Sequence, residues 1–569
     1  MTGGPRACLV VGSIAYVALV VAAAGSLGVN YEEVVPYVLS PIEVTDAGPI
    51  GTGQGTPPRF VVSTQLPRLA FEPAPDLRLP LLNQPYMTNH LSYGGVVLAA
   101  AGIDRLWAAR LWHAAFGLVL LWLVYDVAIL LGLSTRAALI AFVTAATSLP
   151  VTFMFTWARF DESLPSFAPV AVLWAALRYT RDRQPRWVWL GIVAAAFGVS
   201  GKLTTLWPLT GLAVAAIIAG WRWPSGRTVL LPALATAPLF APILAFAIAE
   251  SATGNEVGRR LGYLTDLFSG DVIVGTAANL IDYLGNWGGI LSEAIRGAGA
   301  RAPNVAGWLL VSGTLLWLAA RVLSPGAPPR RQRLETHMLT VVAIVFTLVA
   351  MFFREHRDYQ FSLLVPLYAL ALAAFLDHAA RFLDRRLPAW VAGAAVCALP
   401  LGANLWDQRG LHDDIASAQN AMFDLGVQRA SAAWLAAHGA QRPIVVTFYA
   451  VGTYEFLTDG LVRPVYAFPR VRRAKDGRPE PDLQATWRVL LGDGAEQTRF
   501  AVLPLGENPI EARHFDEPGI RDALLKVASG ERVAVFSNRR GEPTLEVWKV
   551  TLLPPRVAAA GIAEELDRC

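Results

Sequence analysis

WAARLWHAAFGLVLLWLVYDVAILL, residues 107–131, is the stretch that decides the fold. A helix that crosses a bilayer needs about 20 mainly apolar residues, because hydrocarbon cannot hydrogen-bond an exposed backbone. This stretch is longer than that minimum, and its Arg, His and Asp side chains are Arg110, His113 and Asp126. The stretch therefore predicts a transmembrane helix.

The composition shows that the whole chain resembles this stretch. Of its 569 residues, 54% are hydrophobic and 16% are charged, against roughly 25% charged in soluble domains. The mean hydropathy is +0.42. These values exclude a soluble globular enzyme. The net charge is only +4, and the basic residues are spread over short loops, so we expect no nucleic-acid partner.

Further apolar runs outside 107–131 predict a polytopic protein. Including the first, they lie near 8–28, 107–131, 137–156, 163–179, 187–203, 204–220, 228–249, 306–323, 337–353, 360–377 and 389–405. The predicted total is about eleven transmembrane helices. The run 94–103 is too short to span, so we expect it to be interfacial or re-entrant. The cysteines are Cys8, Cys397 and Cys569, whose positions predict neither a disulfide framework nor a metal cluster.

The basic loop residues predict the orientation, because Lys and Arg collect in short cytoplasmic loops. With the spans above, the clusters fall on the side of the N-terminus: Arg6; Arg136; Arg178, Arg181, Arg183 and Arg186; Arg222 and Arg227; Arg321, Arg330, Arg331 and Arg333; Arg381, Arg385 and Arg386. We expect an inner-membrane protein with a cytoplasmic N-terminus and an extracytoplasmic C-terminal region. The first run is long for a signal peptide, which favours a retained helix over a cleaved leader.

The domain organisation follows from a change in composition near residue 405. Residues 1–405 are predicted to form the transmembrane module, with large outer loops at 29–93 and 250–305. The tail 406–569 has β-rich runs at 444–449, 499–505, 532–537 and 545–550, separated by helix-like stretches. This alternation predicts a small α/β domain. The tail contains no GxGxxG or P-loop sequence, so it has no nucleotide signature.

Ionisable residues at the predicted outer boundary form the candidate site, because such groups are costly in or beside spans and often functional. They are Glu32 and Glu33, His90, Arg159 with Asp161 and Glu162, Lys202, and Arg354, His356, Arg357, Asp358 and Tyr359. A phosphate requires Lys or Arg, and an acceptor hydroxyl requires a carboxylate base. A lipid-linked phosphosugar would suit this combination.

Each residue also has a plain structural interpretation. Glu32 could be a solvated loop residue, and Arg159 with Asp161 a structural ion pair. Lys202 could extend towards the interface without binding anything. His90 is better explained as a hydrogen-bonding residue than as a metal ligand. The functional hypothesis rests on their coincidence at one membrane face.

Several segments resemble the GT-C glycosyltransferases, in particular the protein mannosyltransferase type and bacterial relatives such as the lipid A aminoarabinose transferases and the lipopolysaccharide-core transferases of rhizobia. They are NYEEVVPY (30–37), NQPYMTNHLSYGG (83–95), RLWHAAFGLVLLWLVY (110–125), ARFDESLPSF (158–167), GVSGKLTTLWP (198–208) and REHRDYQFSLLVPLYAL (354–370). Glu32 stands where the family commonly has Asp, and the usual double Pro before His90 is absent.

The resemblance implies a GT-C-like α-helical polytopic membrane protein that transfers a monosaccharide, with inversion, from a polyprenyl-phosphate donor to an outer acceptor glycan, lipid or protein. It implies that Glu32 is the base, supported by Glu33, and that Asp161 orients cations or joins a weak divalent-metal site; no cofactor is required. It further implies that Lys202, Arg357, Tyr359 and Arg159 hold the donor phosphate. His90 and Tyr86 are candidate substrate-binding residues. Membrane lipid is the expected environment.

Two other functions stay open at this point. A transporter or lipid flippase would also be polytopic, but transporters tend to place charges at the bilayer midplane and to contain repeated halves. The charged residues here are predicted at one face, and no internal repeat is visible, which favours the enzyme. An inactive scaffold that recruits partners through the tail 406–569 is the second alternative.

Overall fold

The structure is a computed structural model, and part of the chain is described by it. The described residues are 3–29, 43–45, 70–74, 77–80, 82–84, 87–88, 90–157, 160–202, 205–218, 223–245, 365–418, 423–446, 452–467, 470–473, 479–482, 498–505, 521–522, 524–526 and 528–552, with isolated positions such as Glu33, Tyr37, Trp221 and several between 305 and 319. At Asp161 and Glu162 the backbone is described and the side chain is not.

Helices make up most of the described chain. They are α1 Gly3–Ala24, α2 Tyr93–Ala100, α3 Arg105–Leu130, α4 Thr135–Thr147, α5 Leu149–Thr156, α6 Phe160–Asp182, α7 Pro185–Gly201, α8 Leu206–Ile218, α9 Gly226–Thr236, α10 Val365–Leu383, α11 Ala389–Ala416, α12 Leu425–Ala437 and α13 Thr453–Leu457. A 3₁₀ turn, His90–Ser92, precedes α2.

Local sequence explains where these helices begin. Asp104 accepts a hydrogen bond from the Trp107 N–H at 3.1 Å and caps α3. Ser134 does the same for the Ala137 N–H and caps α4. Both side chains supply an acceptor to an N–H that has no partner within its own helix. Pro185 is in the first turn of α7, where the missing N–H costs nothing.

Four described helical segments are long and apolar enough to cross a membrane. They are Pro5–Ala24, Arg105–Leu130, Gly226–Ala245 and Val365–Leu383. The predicted run 137–156 is divided into α4 and α5, because Ser148 adopts an extended conformation between them. The runs 163–179, 187–203 and 204–220 coincide with α6, α7 and α8. The run 337–353 lies outside the described residues, and the total of about eleven spans stays a prediction.

The chain divides into two compact units. The first contains Met1–Ala24, Phe71–Leu291 and Ala302–Leu411, and we call it the helical unit. The second contains Gly25–Ala70, Ser292–Arg301 and His412–Cys569, and we call it the sheet unit. The segment after α1 thus groups with the C-terminal residues, although the predicted boundary near 405 assigned it to the transmembrane module. That boundary stays a prediction.

Small side chains allow close packing at the centre of the helical unit, where α4 lies against α1, α3 and α10. The α4 residues Ala137, Ala138, Ala141 and Ala145 are fully buried. A Cβ added at Gly117 of α3 would lie 1.9 Å from the hydroxyl oxygen of Tyr16 on α1. Close helix approach through small residues is typical of packing inside membranes.

The C-terminal ends of α3 and α6 lie together, so these two helices run parallel. At the end of α6 that is distant from Asp161, Arg178 forms an ion pair with Asp126 of α3. Arg181 donates to the carbonyl of Leu130, the last residue of α3. Cations near a helix C-terminus are favoured by the helix dipole.

A six-stranded sheet, with the order β1-β7-β6-β10-β12-β11, is the main element of the sheet unit. Its strands are β1 Glu43–Thr45, β6 Ile444–Val446, β7 Val465–Ala467, β10 Arg499–Pro504, β11 Ala528–Ser537 and β12 Pro543–Leu552. Strands β1, β7, β6 and β10 are parallel, and β12 pairs antiparallel with both β10 and β11. Each predicted β-rich run of the tail coincides with one of these strands. The other described strands are short and form three two-stranded sheets, in which β2 pairs with β3, β4 with β5 and β8 with β9. They are β2 Ala70–Ala74, β3 Leu77–Pro80, β4 Leu82–Gln84, β5 Met87–Thr88, β8 Arg470–Arg473 and β9 Pro479–Asp482.

Candidate functional site

Lys202 lies at the C-terminal end of α7, in a turn that its backbone stabilises. Its N–H donates to the carbonyl of Gly198 at 2.8 Å, and its carbonyl accepts from the Thr205 N–H at 3.0 Å. The Thr205 hydroxyl also donates to Gly198 at 3.0 Å. Because the carbonyls at a helix end have no partner within the helix, these bonds satisfy them and fix the turn. The half-buried Lys202 side chain therefore leaves from a well-defined backbone.

His90 is linked to the same turn. Its Nε2 lies 3.0 Å from the carbonyl oxygen of Phe197, and its Nδ1 is hydrogen-bonded to the Thr88 hydroxyl. A carbonyl can only accept, so the proton is on Nε2, and Nδ1 accepts from Thr88. Burial lowers the pKa of His90 to about 4, partly opposed by the bond to Phe197. The imidazole is therefore neutral at pH 7, and both its nitrogens are used within the protein.

The beginning of α6, which carries Asp161, packs on this turn as well. A Cβ added at Gly201 would lie 2.1 Å from Leu164 Cδ1 and 3.6 Å from His90 Nε2. Leu91 and Leu164 pack together with Phe116 and Phe197. Three predicted site segments, around His90, Asp161 and Lys202, thus meet at one end of the helical unit.

The acidic segment after α1 is described in part. Glu33 is 1% exposed and belongs to the sheet unit, as does the buried Tyr37. Burial raises the pKa of the Tyr37 hydroxyl, and the charge of Glu33 raises it further. A negative charge near a phenol disfavours the phenolate. The Tyr37 ring packs edge to face on Phe456, with ring centroids 5.9 Å apart.

The other predicted site residues lie outside the described part of the chain. These are Glu32, Tyr86, Arg159, Arg357 and Tyr359, together with the side chain of Asp161. Their roles stay predictions. Within the described residues, no group of three or more His, Cys, Asp or Glu side chains could hold a metal ion. The weak divalent-metal site near Asp161 also stays a prediction.

Arg110 and Gln428 form buried hydrogen bonds with the chain around the end of α1, and the sequence predicted a role for neither. Arg110 is 1% exposed, and it donates to the carbonyl of Ala24, the last residue of α1. A cation inside an apolar run is a signal for such a role. Gln428 on α12 is hydrogen-bonded to Val29 through both atoms of its amide. An isolated glutamine on an amphipathic helix carries no comparable signal.

Comparison with known proteins gave matches to solved structures. No protein-family model matches the sequence, and no curated protein sequence matches it. ArnT from Cupriavidus metallidurans, solved with undecaprenyl phosphate, superposes with a TM-score of 0.56 at 14% identity, over 96% of this chain and 98% of ArnT. The oligosaccharyltransferase AglB from Archaeoglobus fulgidus, solved with an inhibitory peptide and a dolichol-phosphate, has a TM-score of 0.53 at 13% identity, over 97% of this chain and 75% of AglB.

A second structure of the Archaeoglobus fulgidus oligosaccharyltransferase, with zinc and sulfate, has a TM-score of 0.51 at 14% identity, over 93% of this chain and 72% of the other. These structures are GT-C glycosyltransferases. The resemblance to the GT-C fold that the sequence motifs indicated is therefore confirmed at the level of the fold.

Proposed function

We propose that this protein is an integral-membrane glycosyltransferase that moves a monosaccharide from a polyprenyl-phosphate donor to an acceptor hydroxyl outside the cytoplasm. One observation carries the proposal: the fold matches that of ArnT, solved with undecaprenyl phosphate, over 96% of this chain and 98% of ArnT. The donor class comes from that likeness, and the residues of the candidate site supply a chemistry that suits it.

The cationic part of the proposed site is centred on Lys202, with Arg357, Arg159 and Tyr359 as further ligands of the donor phosphate. The turn at the end of α7 supports this role, because its internal hydrogen bonds hold the Lys202 backbone in place. A cation that is already positioned stabilises the negative charge of the leaving phosphate without reorganisation. Asp161, at the start of α6, would orient these cations or take part in a weak divalent-metal site.

The acidic part of the proposed site is the segment Glu32–Glu33, with Glu32 as the base. Glycosyl transfer passes through an oxocarbenium-like transition state, and inversion requires one base on the face opposite the leaving group. Phosphate leaves readily, so a strong general acid is unnecessary. The burial of Glu33 fits a supporting residue that does not contact solvent. His90, whose nitrogens are both hydrogen-bonded within the protein, would act mainly by holding the Lys202 turn.

The test is transfer of radiolabel from a panel of polyprenyl-phosphate sugars to envelope fractions by the purified protein. Glu32→Gln should lower kcat by about 10²–10⁴-fold, the usual contribution of a general base, and leave the fold intact. Lys202→Ala should weaken donor binding by about tenfold or more, since a hydrogen bond to a charged group contributes about 1.5–3 kcal/mol.

Matched controls are Glu531→Gln and Lys526→Ala, which alter exposed side chains of the sheet unit. Neither control should change transfer. Near-normal turnover in Glu32→Gln would remove the base assignment, and unchanged donor affinity in Lys202→Ala would remove the phosphate-binding role. Movement of the lipid between leaflets without sugar transfer would instead support a flippase. Repeating the assay with a chelator and then with added Mg²⁺ or Mn²⁺ tests the weak metal site.

A further inference from the structure

Glu32 and Glu33 are called the acidic pair below. The segment that leads from α1 to this pair is hydrogen-bonded to the C-terminal residues of the sheet unit. The side-chain amide of Gln428 bonds the backbone of Val29 twice: its Oε1 accepts from the Val29 N–H at 2.6 Å, and its Nε2 donates to the Val29 carbonyl at 2.9 Å. Val29 is fully buried, and Gln428 is 4% exposed. The amide thus pairs with both backbone polar groups of Val29, as a neighbouring strand would.

A second pair of bonds lies directly before this one. The Gly28 N–H donates to the carbonyl of Phe423 at 3.0 Å, and the Leu425 N–H donates to the carbonyl of Ser26 at 3.2 Å. These bonds form a short antiparallel bridge between Leu27 and Asp424. The Asp424 side chain caps α12 by accepting the N–H of Gly426 at 2.8 Å and that of Val427 at 3.3 Å. The bridge therefore continues directly into the capped start of α12, which carries Gln428.

The segment is also attached on the far side of the acidic pair. The Tyr37 ring packs on Phe456 of α13, and β1, Glu43–Thr45, pairs in parallel with β7. Val29 precedes Glu32 by three positions, and Tyr37 follows Glu33 by four. Along the chain, the acidic pair therefore lies between two attachments to the same unit.

We infer that Gln428 is a positioning residue, which holds the chain at Val29 so that the acidic pair is presented in one conformation. The inference rests on the proposed function, since it assigns the C-terminal residues a role in orienting the catalytic carboxylate. An error of about 1 Å in the position of a catalytic group can lower the rate by about 10²-fold.

The glutamine is suited to this role because its side-chain amide places an acceptor and a donor side by side, which matches the N–H and the carbonyl of Val29. Gln428→Ala leaves the buried N–H and the buried carbonyl of Val29 without these partners, which favours opening of the segment. In Gln428→Glu, a carboxylate could still accept from the Val29 N–H but would repel the Val29 carbonyl. When that carboxyl is protonated, it can donate again.

The experiment compares wild type with Gln428→Ala, Gln428→Glu and the control Gln441→Ala, whose side chain is exposed in the same unit. Hydrogen exchange of peptides covering 25–37 measures the attachment, and sugar transfer measures its consequence. We expect faster exchange in this segment in Gln428→Ala, a kcat lower by about 10–100-fold, and a donor KM that changes less than about twofold. The Gln428→Glu defect should diminish as pH is lowered, whereas the Gln428→Ala defect should not.

The outcomes separate the two proposals. Unchanged exchange in Gln428→Ala would overturn the attachment. Faster exchange with an unchanged kcat would overturn the positioning role, as would a loss confined to donor KM. A wild-type protein that transfers no sugar would overturn the proposed function and with it the catalytic role, while the exchange experiment would still decide whether Gln428 holds Val29.

Discussion

The imidazole of His90 is held between the Thr88 hydroxyl and the carbonyl of Phe197, and this arrangement determines its charge. Burial disfavours the imidazolium, so the pKa is lowered from 6.5 to about 4. A lowered pKa in the folded state means that the unfolded state binds the proton more readily. The contribution of His90 to stability is therefore complete above about pH 6.5 and is lost as the pH falls towards 4.

The direction of this pKa shift predicts how two His90 variants respond to pH. Each pKa unit corresponds to about 1.36 kcal/mol, so the loss on acidification approaches about 3 kcal/mol. His90→Gln retains one donor and one acceptor without titrating, and should reduce the decrease in thermal stability between pH 7 and pH 4. His90→Ala should already be less stable at pH 7, by about 1–3 kcal/mol. Thermal unfolding in detergent at several pH values measures both effects.

The control for this series is His438→Gln, which removes an exposed imidazole of the sheet unit. The difference between His90→Gln and wild type is compared with the difference that this control produces. If His90→Gln and wild type lose stability in parallel on acidification, the titration of His90 does not contribute.

At the scale of elements, the antiparallel pair α6 and α7 determines where Lys202 lies. Their contact is built from small residues at equal spacing: a Cβ added at Gly198 would lie 2.4 Å from the Cβ of Ala168, and one added at Gly191 would lie 3.4 Å from the Cβ of Ala175. The helices therefore approach most closely near the end that carries Lys202. Gly198 also accepts the hydrogen bond from the Lys202 N–H, so a shift of α7 moves the turn.

Gly198→Ala and Gly191→Ala form a matched pair that tests this contact. At Gly198 the new methyl group would meet a Cβ that has no rotamer to change, so the helices must separate at a cost of about 1–3 kcal/mol. At Gly191 the space is sufficient, and the helix propensity of Ala should make the change neutral or favourable by up to about 1 kcal/mol.

We expect a lower melting temperature in detergent and weaker donor binding for Gly198→Ala alone, with partial recovery when Ala168→Gly is added. Equal behaviour of the two alanine variants would show that close packing at Gly198 is unimportant for the turn.

At the scale of the whole molecule, the fold depends on contacts between residues that are distant in sequence. Arg136 at the start of α4 donates to Asp377 at 2.8 Å and to Asp384 at 2.9 Å, and Asp377 also accepts from Arg381 at 2.8 Å. This network fixes the N-terminal end of α4 against the C-terminal end of α10. The predicted basic loops around Arg136 and Arg381 thus lie at the same end of the helical unit.

The network predicts unequal effects for its two carboxylates. The Asp377 side chain is 5% exposed and that of Asp384 is 29% exposed. Asp377→Asn should cost about 3 kcal/mol, because it breaks a buried ion pair and leaves its cations poorly compensated. Asp384→Asn should cost less than about 1 kcal/mol, as for partly exposed pairs. Thermal unfolding of both variants in one detergent ranks them, and a larger loss for Asp384→Asn would contradict the assignment.

The sequence by itself determined the class of protein and much of its secondary structure. Apolar runs such as 107–131 are local properties: each must satisfy its own backbone as a helix in lipid, whatever surrounds it. The four β-rich runs of the tail were recognisable for a similar reason, since their β-branched and aromatic residues favour strands. The order of the GT-C-like motifs was sufficient to predict the fold that ArnT and AglB share with this chain.

Only the tertiary structure decided which of these pieces meet. It joined the segment at Val29 to Gln428, added β1 to a sheet formed by residues beyond 440, and placed His90 on the turn at Lys202. Such pairings depend on complementary shape and hydrogen bonding between side chains hundreds of positions apart, and periodicity within a short window contains no information about them. The same sequence pattern that predicted each element therefore could not show that the acidic segment is held by the C-terminal residues.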